Sequence, residues 1–544
     1  MRNATGQTLL VLCLYALLGV AAYGDVLGHF FLSDDFEQIG RVLDGDLSFV
    51  WGRSHGGFFR PVFILSYYLD AVLWGRNPFG FHLTNLLLHV LNSLLVYALA
   101  RALTVDAPLT ETRRKLVSIL AGLIFLLHPS HTEAVSWVSG RADLLATLFC
   151  LASLLAYISY LHTGRRAQLS VALCAFAAAL LSKEAAVCLP LVVWVMGAYL
   201  SRVHNGGGGG VRATLVRALK TAAPFLSILV VYAVMRALML GSLVGGYGAE
   251  RHLDFTHSVV VSQLLRLCLR AALPAVTLRS LTFLESRMLS PVLICIGVAL
   301  LIATAVVLAR ARRRRAVAEF ARRNKFLWVL WALFVCAMLP AVNLRINVFD
   351  TQGERFLYLP TVFSSAALAY ALAKSARSMR LFVLFSLTLL CFYTVALRIT
   401  NRHWGEAAEV SRGITEAVAR LATRETAVVV NVPDNLRGVH LFRNGIEYAV
   451  TRFAAHAGSV KRVAVVAFQD LKTPLDRVEI STGDDALALR LMEAQAVFVK
   501  FNPSPECVEV ISRTEKELRL RLTNCAARPD IFYFSDGKLV PFAL

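Results

Sequence analysis

The sequence is poor in charged residues. Only 17% of its 544 residues are Asp, Glu, Lys or Arg, whereas 57% are hydrophobic. Soluble domains carry about 25% charged residues, so this deficit excludes an ordinary soluble protein and favours a chain that crosses a membrane many times. Acidic residues are the scarcer kind, 36 against 56 Lys and Arg, which leaves a formal net charge of +20.

The positive charge is not distributed as in a nucleic-acid-binding protein. Much of it lies in short patches between apolar runs, as in ARARRRRAVAEFARRNK at 309–325. Cytoplasmic loops of membrane proteins carry such an excess of Lys and Arg. We therefore expect a lipid bilayer as the partner and no nucleic acid.

Eleven apolar segments approach the length of a spanning helix, which needs about 20 residues and at least about 17. They are 8–27, 82–102, 116–135, 143–162, 167–182, 185–201, 221–241, 291–310, 326–344, 359–374 and 380–397. Alternate loops between them are basic, so the positive-inside rule places the N-terminus inside and the C-terminal tail outside. We expect no cleaved signal peptide, because the first segment lacks a small-residue cleavage site.

Two further apolar segments are not counted as spans. HSVVVSQLLRLCLRAALPAV at 257–276 is interrupted by Arg266 and Arg270, and RPVFILSYYLDAVLW at 60–74 by Asp70. The first predicts a helix that lies on the outer surface or is half inserted, with its two arginines facing lipid headgroups, and the second predicts an interfacial helix.

The composition changes near residue 400. TAVVVNVP (426–433), RVAVVAF (462–468) and AQAVFVKF (494–501) predict strands, and RNGIEYAVTRFAAHA (443–457) predicts a helix. We expect a membrane domain over 1–400 and a soluble α/β domain outside the membrane over 401–544.

The cysteines divide between these two parts. Eight of the ten lie in apolar stretches, where cysteine behaves as a small hydrophobe. The other two, Cys507 and Cys525, flank the alternating runs VEVIS and LRLRL, which predict a hairpin. In an oxidising compartment this pair would form a disulfide.

Ionisable and strongly polar side chains at membrane depth are costly, and each is therefore a functional candidate. FLSDDFEQIG at 31–40 places Asp34 and Asp35 directly after the first span. The remaining candidates lie in the other predicted outer loops and span ends: Arg60, His82, Asn85, His131, Glu133, Arg141, Asp143, Lys183, Glu184, Glu354, Arg355 and Tyr358.

Each candidate also has a structural interpretation. The acid pair would mark where the chain leaves the bilayer, His82 and Asn85 would bond neighbouring helices, and Lys183 would pair with Glu184. The His-x-x-His spacing in HPSHTEAVSWVSGRADLLA (128–146) is half of a metal site at most, so no metal ligand is assigned and a divalent cation is left open.

The predicted topology nevertheless sends all of these motifs to one face of the membrane. Carboxylates and cations at a lipid interface suit one reaction well. An Asp can take the proton of a hydroxyl while Arg and Lys hold an anionic lipid-phosphate leaving group.

A set of motifs follows in a specific order: SDDF, FFRPVFILSYYLDAVLWGRNPFGFHLTNLLLHVLNSLLVYAL, LLHPSHTEAVSWVSGRADLLA, LLSKEAAV, ERFLYLP and TNRHWGEAAEV. Over about residues 8–410 the chain resembles the membrane half of the transmembrane and tetratricopeptide-repeat O-mannosyltransferases and their bacterial relatives. These are polytopic glycosyltransferases of the GT-C class, more distantly related to protein O-mannosyltransferases and aminoarabinose transferases.

The resemblance implies a GT-C fold and a sugar donor carried on polyprenyl or dolichyl phosphate. It places Asp34 and Asp35 at the catalytic centre, as base or positioning group, and puts Arg60, Arg141, Lys183 and Arg355 on the donor phosphate. The tail shows no 34-residue tetratricopeptide repeat. The chain therefore looks like a bacterial member of the inner membrane, with its site and C-terminal domain in the periplasm.

We thus expect a hexosyltransferase that moves a sugar, such as mannose, from a polyprenyl-phosphate donor to a hydroxyl of a protein, glycan or lipid. Three alternatives stay open at this point. They are an enzyme that modifies lipid A or a polysaccharide, a transporter of lipids or small molecules, and a scaffold or receptor whose tail does the binding.

Overall fold

The structure is a computed structural model. It describes residues 2–46, 48–51, 57–105, 107–204, 210–241, 257–275, 324–342, 344, 346–347, 350–455, 458–482, 486–493, 495–505, 507–523 and 529–542. The predicted span at 291–310 lies outside the described residues.

The first part of the chain folds into a bundle of helices. In chain order they are α1 Arg2–Tyr23, α2 Asp34–Leu43, α3 Ser48–Trp51, α4 Pro61–Trp74, α5 Pro78–Leu103, α6 Glu111–Leu126, α7 Thr132–Ser136, α8 Arg141–Thr163, α9 Arg166–Ser182, α10 Leu189–His204, α11 Val211–Leu240, α12 His257–Ala272, α13 Lys325–Met338, α14 Thr361–Ser375 and α15 Met379–Leu421. Large apolar side chains such as Leu10, Val72 and Leu238 are exposed on this bundle, as expected where helices face lipid.

Within the described residues, six helices are long and apolar enough to cross a membrane: Gly6–Gly28, Pro78–Leu103, Val138–Thr163, Glu184–Arg202, Arg212–Leu240 and Met379–Leu421. Glu111–Leu126 and Pro129–Ser136 add a seventh if the pair, bent by 50°, is one span. The chain is therefore a multi-pass membrane protein, and the fold class predicted from the sequence, membrane helices followed by a C-terminal sheet domain, is confirmed. The predicted number of eleven spans is not confirmed.

The bend lies within the predicted span at 116–135. Residues 116–135 are not one helix, because α6 ends at Leu126 and a 3-10 turn, Pro129–His131, follows. Proline disfavours the helical conformation of the residue before it, and His128 is extended, with φ −66° and ψ 120°. The chain therefore turns at this point, and residues 128–140 form a compact connection to α8, which we call the 128–140 turn.

The helix α12 does not present both of its arginines to headgroups. Arg266 is exposed, but Arg270 is fully buried and forms an ion pair with Glu354. The Ser130 hydroxyl of the 128–140 turn donates a hydrogen bond to the Arg270 carbonyl at 3.1 Å. The His128 ring nitrogen of the same turn lies 3.1 Å from the Ala271 carbonyl oxygen. The prediction that both arginines face lipid headgroups is therefore wrong for Arg270, because that end of the helix packs into the protein.

The C-terminal part contains two sheets. Its strands are β1 Thr426–Leu436, β2 Val439–His440, β3 Arg462–Leu471, β4 Val478–Thr482, β5 Leu487–Leu491, β6 Val497–Phe501, β7 Val508–Arg513, β8 Glu517–Leu522, β9 Asp530–Ser535 and β10 Lys538–Pro541. The larger sheet has the order β10-β9-β1-β3-β6, with β2 beside β1, and the smaller has the order β4-β5-β8-β7. In the larger sheet β1 is parallel to β3 and β9, whereas the smaller sheet is antiparallel.

The three predicted strands correspond to β1, β3 and β6, and the predicted hairpin is the β7–β8 pair. The predicted helix at 443–457 is wrong in length. Among the described residues of that range, only Ile446–Tyr448 (α16) and a π-helical turn, Ala449–Phe453, are helical. Cys507, at the start of the hairpin, is disulfide-bonded, whereas Cys525 lies outside the described residues.

The two parts share a continuous apolar core. The helix α15 runs from the bundle into the C-terminal sheet, so it crosses the predicted domain boundary at 400/401 without a break. Trp404 of this helix is buried in the same cluster as Phe36 of α2 and Phe442 of the C-terminal part. The rings of Phe36 and Phe442 stack with centroids 5.8 Å apart, and this packing sets the C-terminal part directly on the residues that follow α1.

We predict that Gly140→Ala destabilises the fold. A Cβ at Gly140 would lie 2.5 Å from the main-chain oxygen of Ala134 and 2.6 Å from that of Glu133, and backbone cannot yield as a flexible side chain does. Overpacking of this kind costs about 1–3 kcal/mol. The midpoint of thermal unfolding in detergent should fall.

Gly413→Ala is the matched control, because an added Cβ there meets nothing within 4 Å. That substitution should leave the midpoint unchanged or raise it, since alanine is favoured over glycine in a helix by about 0.5–1 kcal/mol. Equal midpoints for the two variants would contradict the packing described at Gly140.

Candidate active site

The 128–140 turn is held in place by one side chain of α5. The Asn85 amide nitrogen lies 3.3, 3.0 and 3.3 Å from the main-chain oxygens of Val135, Trp137 and Val138. Asn85 was predicted as a site residue, and the structure places it fully buried behind the turn. It therefore shapes the turn that carries the other candidate residues.

Asp35 is anchored to this turn. The carboxylate is 1% exposed and accepts hydrogen bonds from the Leu32 N–H (3.1 Å), the Ser139 N–H (2.8 Å) and the Ser139 hydroxyl. Burial raises the pKa of Asp35 to about 7, although these three hydrogen bonds favour the charged form. Both carboxylate oxygens are thus engaged with the protein, as suits a positioning group.

Asp34 has a different environment. It is half-buried at the start of α2, and the described hydrogen bonds of its carboxylate reach one oxygen, Oδ1. Asn444 of the C-terminal part donates one of them at 2.7 Å. The preceding residue, Ser33, has a left-handed φ of 51°, and its N–H donates to the Leu441 carbonyl at 2.6 Å. The C-terminal part therefore holds the backbone that presents Asp34.

Arg355 contacts the same turn. Its guanidinium and its N–H both bind the carboxylate of Glu133, the latter at 2.8 Å. The guanidinium also lies 5.0 Å from the ring centroid of Trp137, whose indole N–H donates to the Leu32 carbonyl at 3.1 Å. Through Trp137 and Ser139, the turn thus connects Arg355 to the loop that bears the acid pair.

Glu354 binds the 128–140 turn and the helix α12. It is 1% exposed, accepts a hydrogen bond from the Thr132 hydroxyl at 3.3 Å and pairs with Arg270. Its carboxylate is therefore occupied by the protein, and it ties α12 to the turn.

A second group of charges lies beside Arg355. The Lys183 ammonium is 2.5 Å from the Asp143 carboxylate and 5.4 Å from the ring centroid of Phe356. The next residue, Glu184, is bound by Arg60 at 2.7 Å. The side chains of Arg60 and Glu184 are 11% and 25% exposed, so this group is the more accessible part of the charged set.

The structure adds one residue that the sequence interpretation missed. Arg236 of α11 binds the second oxygen of Glu184 at 2.9 Å, so that two guanidinium groups share one carboxylate. The signal was present in the sequence, because an arginine within the apolar segment at 221–241 is itself a functional candidate.

Arg141 lies deeper. It is fully buried, with its guanidinium 2.5 Å from the Asp70 carboxylate, 2.8 Å from the Asn85 amide oxygen and 2.8 Å from the Phe81 carbonyl. These contacts join α4, α5 and α8. Its predicted contact with a donor phosphate stays a prediction, and the described contacts suit a structural role.

Tyr358 and His131 are also inside the protein. The Tyr358 hydroxyl is 2.7 Å from His89 and 3.2 Å from Asn92, and the His131 ring is 2.7 Å from the Thr361 hydroxyl. The five residues bonded in this way connect α5, the 128–140 turn and α14. They form a buried polar network.

The histidines of the described residues do not assemble a metal site. The His128 and His131 rings stack at 5.0 Å, but His128 contacts the Ala271 carbonyl and His131 contacts a hydroxyl. His82 is 2% exposed, with its ring 6.2 Å from that of His29. Throughout the part of the chain that the structure describes, no group of three or more His, Cys, Asp or Glu side chains is placed to hold a metal ion.

We predict that Asp35 makes the stability of the protein depend on pH. Its pKa of about 7 in the folded protein lies above the ordinary value of 3.8, so the folded state holds a proton that the unfolded state releases between these values. Stability therefore falls as pH rises from about 4 to about 7, by at most about 1.4 kcal/mol per pH unit for one proton. Asp35→Asn should remove this contribution from the thermal unfolding midpoints measured between pH 5 and 8.

The control is Asp34→Asn, which should keep most of the slope of the unmodified protein, because it leaves Asp35 in place and the Asp34 charge is the smallest of the causes that act on the pKa of Asp35. Other carboxyl groups contribute equally to all three proteins and cancel in the comparison. An unchanged slope in Asp35→Asn would show that Asp35 is not protonated in this way.

Comparison with curated proteins shows sequence similarity to one family. The chain is 39% identical over 177 residues to the protein O-mannosyl-transferase Tmtc1 of Drosophila melanogaster, covering 31% of this chain and 18% of that protein. It is 36% identical over 163 residues to TMTC2 of Mus musculus, covering 27% and 18%. It is 30% identical over 155 residues to a protein O-mannosyl-transferase of Caenorhabditis elegans, covering 26% and 22%. The matches thus span about a fifth of the relatives' length.

Solved structures give a weaker likeness. The archaeal oligosaccharyltransferase AglB of Archaeoglobus fulgidus, in complex with an inhibitory peptide and a dolichol-phosphate, superposes with a TM-score of 0.41 at 13% identity, covering 76% of this chain and 58% of that one. ArnT of Cupriavidus metallidurans, bound to undecaprenyl phosphate, gives 0.37 at 15% identity, covering 97% and 100%. At these TM-scores the superpositions assign neither a function nor a superfamily to this chain.

No protein-family model matches the chain. The sequence similarity, however, is to proteins of the kind that the motifs predicted, at identities of 30% to 39% in three animal species. The resemblance drawn from the sequence is therefore confirmed: over part of its length, this chain is similar to protein O-mannosyl-transferases.

Proposed function

We propose that this protein is a membrane glycosyltransferase that moves a sugar from a polyprenyl-phosphate donor to an acceptor hydroxyl. One observation carries the proposal. The loop that bears Asp34 and Asp35 and the cation Arg355 contact the same 128–140 turn, through Ser139 in one case and through Glu133 and Trp137 in the other. A base and a phosphate-binding cation thus lie on one small part of the fold, as transfer from a lipid phosphate requires.

The charges near that turn favour a phosphate. Four cations, Arg60, Lys183, Arg236 and Arg355, share three carboxylates, Asp143, Glu184 and Glu133. Among these described ion pairs the cations outnumber the carboxylates by one, in surroundings where charges are screened less than in water. Such preorganised cations stabilise the negative charge that develops on a leaving phosphate.

The proposed step uses Asp34 as the general base. The acceptor hydroxyl gives its proton to the Asp34 carboxylate, and its oxygen attacks the anomeric carbon of the donor sugar. The bond between that carbon and the phosphate oxygen breaks, and polyprenyl phosphate leaves with the electron pair. Displacement in line inverts the anomeric carbon. Asp35, with both oxygens bound by Leu32 and Ser139, holds the loop in position.

Two observations support a compartment for the site. The disulfide of Cys507 supports an oxidising environment for the C-terminal part, and the positive-inside rule supports the same side for the acid pair. We propose the periplasmic face of a bacterial inner membrane, with mannose or another hexose as the transferred sugar.

We predict that Asp34→Asn lowers turnover strongly. Removal of a general base costs about 10²–10⁴ in rate, and the amide cannot accept the proton. The measurement is sugar transfer and donor hydrolysis by purified protein supplied with a panel of polyprenyl-phosphate sugars, followed by mass spectrometry.

The matched control is Asp44→Asn, at the other end of α2, where the carboxylate is 41% exposed and pairs with Arg452. This variant should turn over at the normal rate. Normal turnover in Asp34→Asn would rule out Asp34 as the base.

We also predict that Arg355→Ala lowers turnover by about 10²–10³, the loss typical when one charge-stabilising group is removed. Arg355→Lys should recover part of the rate, because lysine keeps the charge but not the paired geometry. The same transfer assay measures both variants. Equal rates for Arg355→Ala and the unmodified protein would contradict the proposed phosphate contact.

A further inference from the structure

His440 is a buried histidine of the C-terminal part that no step of the proposed reaction uses. It lies in β2 and is 5% exposed. Its ring nitrogen Nδ1 is buried and makes no hydrogen bond within the described residues. Buried polar atoms are nearly always paired, so this nitrogen needs a partner from outside the chain, which is either water or a ligand.

A tight hairpin fixes the position of His440. The strands β1 and β2 are antiparallel, with Asn435 opposite His440. The two residues that connect them, Arg437 and Gly438, have φ of 53° and 94°, as the two-residue type I′ turn requires. The Asn435 side-chain oxygen accepts a hydrogen bond from the Gly438 N–H at 2.6 Å. The hairpin therefore presents the ring from a well-braced piece of backbone.

The same hairpin is tied to the loop that bears the acid pair. Leu441, the residue after His440, accepts the Ser33 N–H at 2.6 Å. At the turn, the Arg437 guanidinium binds the Glu406 carboxylate of α15 at 2.9 Å. His440 thus lies next in sequence to an anchor of the proposed active site.

The ring of His440 lies beside the group that holds Arg355. Its centroid is 6.1 Å from that of the Trp137 ring, with the two planes at 65°, and the Arg355 guanidinium is 5.0 Å from the Trp137 ring centroid. Burial, together with the positive charges of Arg443 and Arg355, holds the pKa of His440 well below its ordinary value of 6.5. The ring is therefore neutral at neutral pH, with one nitrogen as a donor and the other as an acceptor.

A neutral imidazole suits a hydroxyl better than a phosphate. A hydroxyl both donates and accepts hydrogen bonds, and either ring nitrogen can serve it, whereas a phosphate is bound most strongly by charged donors such as guanidinium. In the proposed donor the sugar is attached directly to the phosphate that Arg355 binds. Sugar hydroxyls would therefore lie close to the same guanidinium, and to the ring beside it.

We propose that His440 contacts the donor sugar, with its Nδ1 hydrogen-bonded to a hydroxyl of the hexose whose phosphate Arg355 binds. The proposal rests on the glycosyl transfer proposed above and adds the group that recognises the sugar. The C-terminal part then takes part in the choice of donor.

The test measures binding of lipids to full-length protein by native mass spectrometry. The probes are undecaprenyl phosphate and the same lipid phosphate carrying mannose, glucose or galactose, and the sugar-bearing lipid that binds most tightly is used for the variants. Each variant is compared with the unmodified protein on one lipid at a time, so a difference in phosphate charge between the lipids does not enter.

His440→Leu removes both ring nitrogens and should weaken binding of the sugar-bearing lipid about tenfold, the effect of one lost hydrogen bond. Binding of undecaprenyl phosphate should stay within about twofold. The midpoint of thermal unfolding should be unchanged or higher, because an apolar side chain replaces a buried nitrogen without a partner. His440→Asn keeps a hydrogen-bonding atom at the position of Nδ1 and should recover part of the affinity.

His29→Leu is the matched control. The Nδ1 of His29 is also buried without a hydrogen bond within the described residues, and the charged neighbours that act on its ring are Asp25 and Arg412. This variant should bind both kinds of lipid within about twofold of the unmodified protein.

Three results would overturn the proposal: unchanged binding of the sugar-bearing lipid in His440→Leu, an equal loss for undecaprenyl phosphate, or an equal loss in His29→Leu. A loss in His440→Asn as large as in His440→Leu would overturn the contact through Nδ1. If the unmodified protein binds neither kind of lipid, the proposed function itself fails, and the role of His440 fails with it.

Discussion

The hydrogen bonds from Ser139 to the buried Asp35 carboxylate join the acid-bearing loop to the 128–140 turn, and the rest of the site depends on that junction. A buried carboxylate that loses its donors costs more than an exposed one, because no water replaces them. The same turn receives Arg355 through Glu133, and its carbonyl groups contact Asn85. Residues separated by more than 300 positions therefore meet on one rigid piece of backbone.

The C-terminal part contributes contacts to this site. Leu441 accepts the Ser33 N–H, and Asn444 donates to Asp34. Gly438, with φ 94°, allows close approach to the loop before Arg355, because a Cβ there would lie 2.6 Å from the Thr351 nitrogen. One segment of the C-terminal part thus touches both the acid loop and the Arg355 loop, so it can hold the two loops of the proposed site relative to each other.

The sequence predicted features that depend on local pattern. The strands β1 and β3, the hairpin and the set of polar motifs followed from periodicity, turn chemistry and the cost of charge in lipid. What it could not predict were partners far apart in the chain: Arg141 with Asp70, Arg270 with Glu354, and Arg236 with Glu184. Packing decides these pairs, and packing also decides that Asp35 is buried while its neighbour Asp34 is accessible.

We propose above that the cations around the 128–140 turn bind a lipid phosphate. The most direct measurement compares binding of undecaprenyl phosphate and of undecaprenol to the full-length protein by native mass spectrometry, since the two lipids differ only in the phosphate. The account predicts saturable binding of undecaprenyl phosphate at least about tenfold tighter than that of undecaprenol, a difference of about 1.4 kcal/mol. Equal affinity for the two lipids would contradict it.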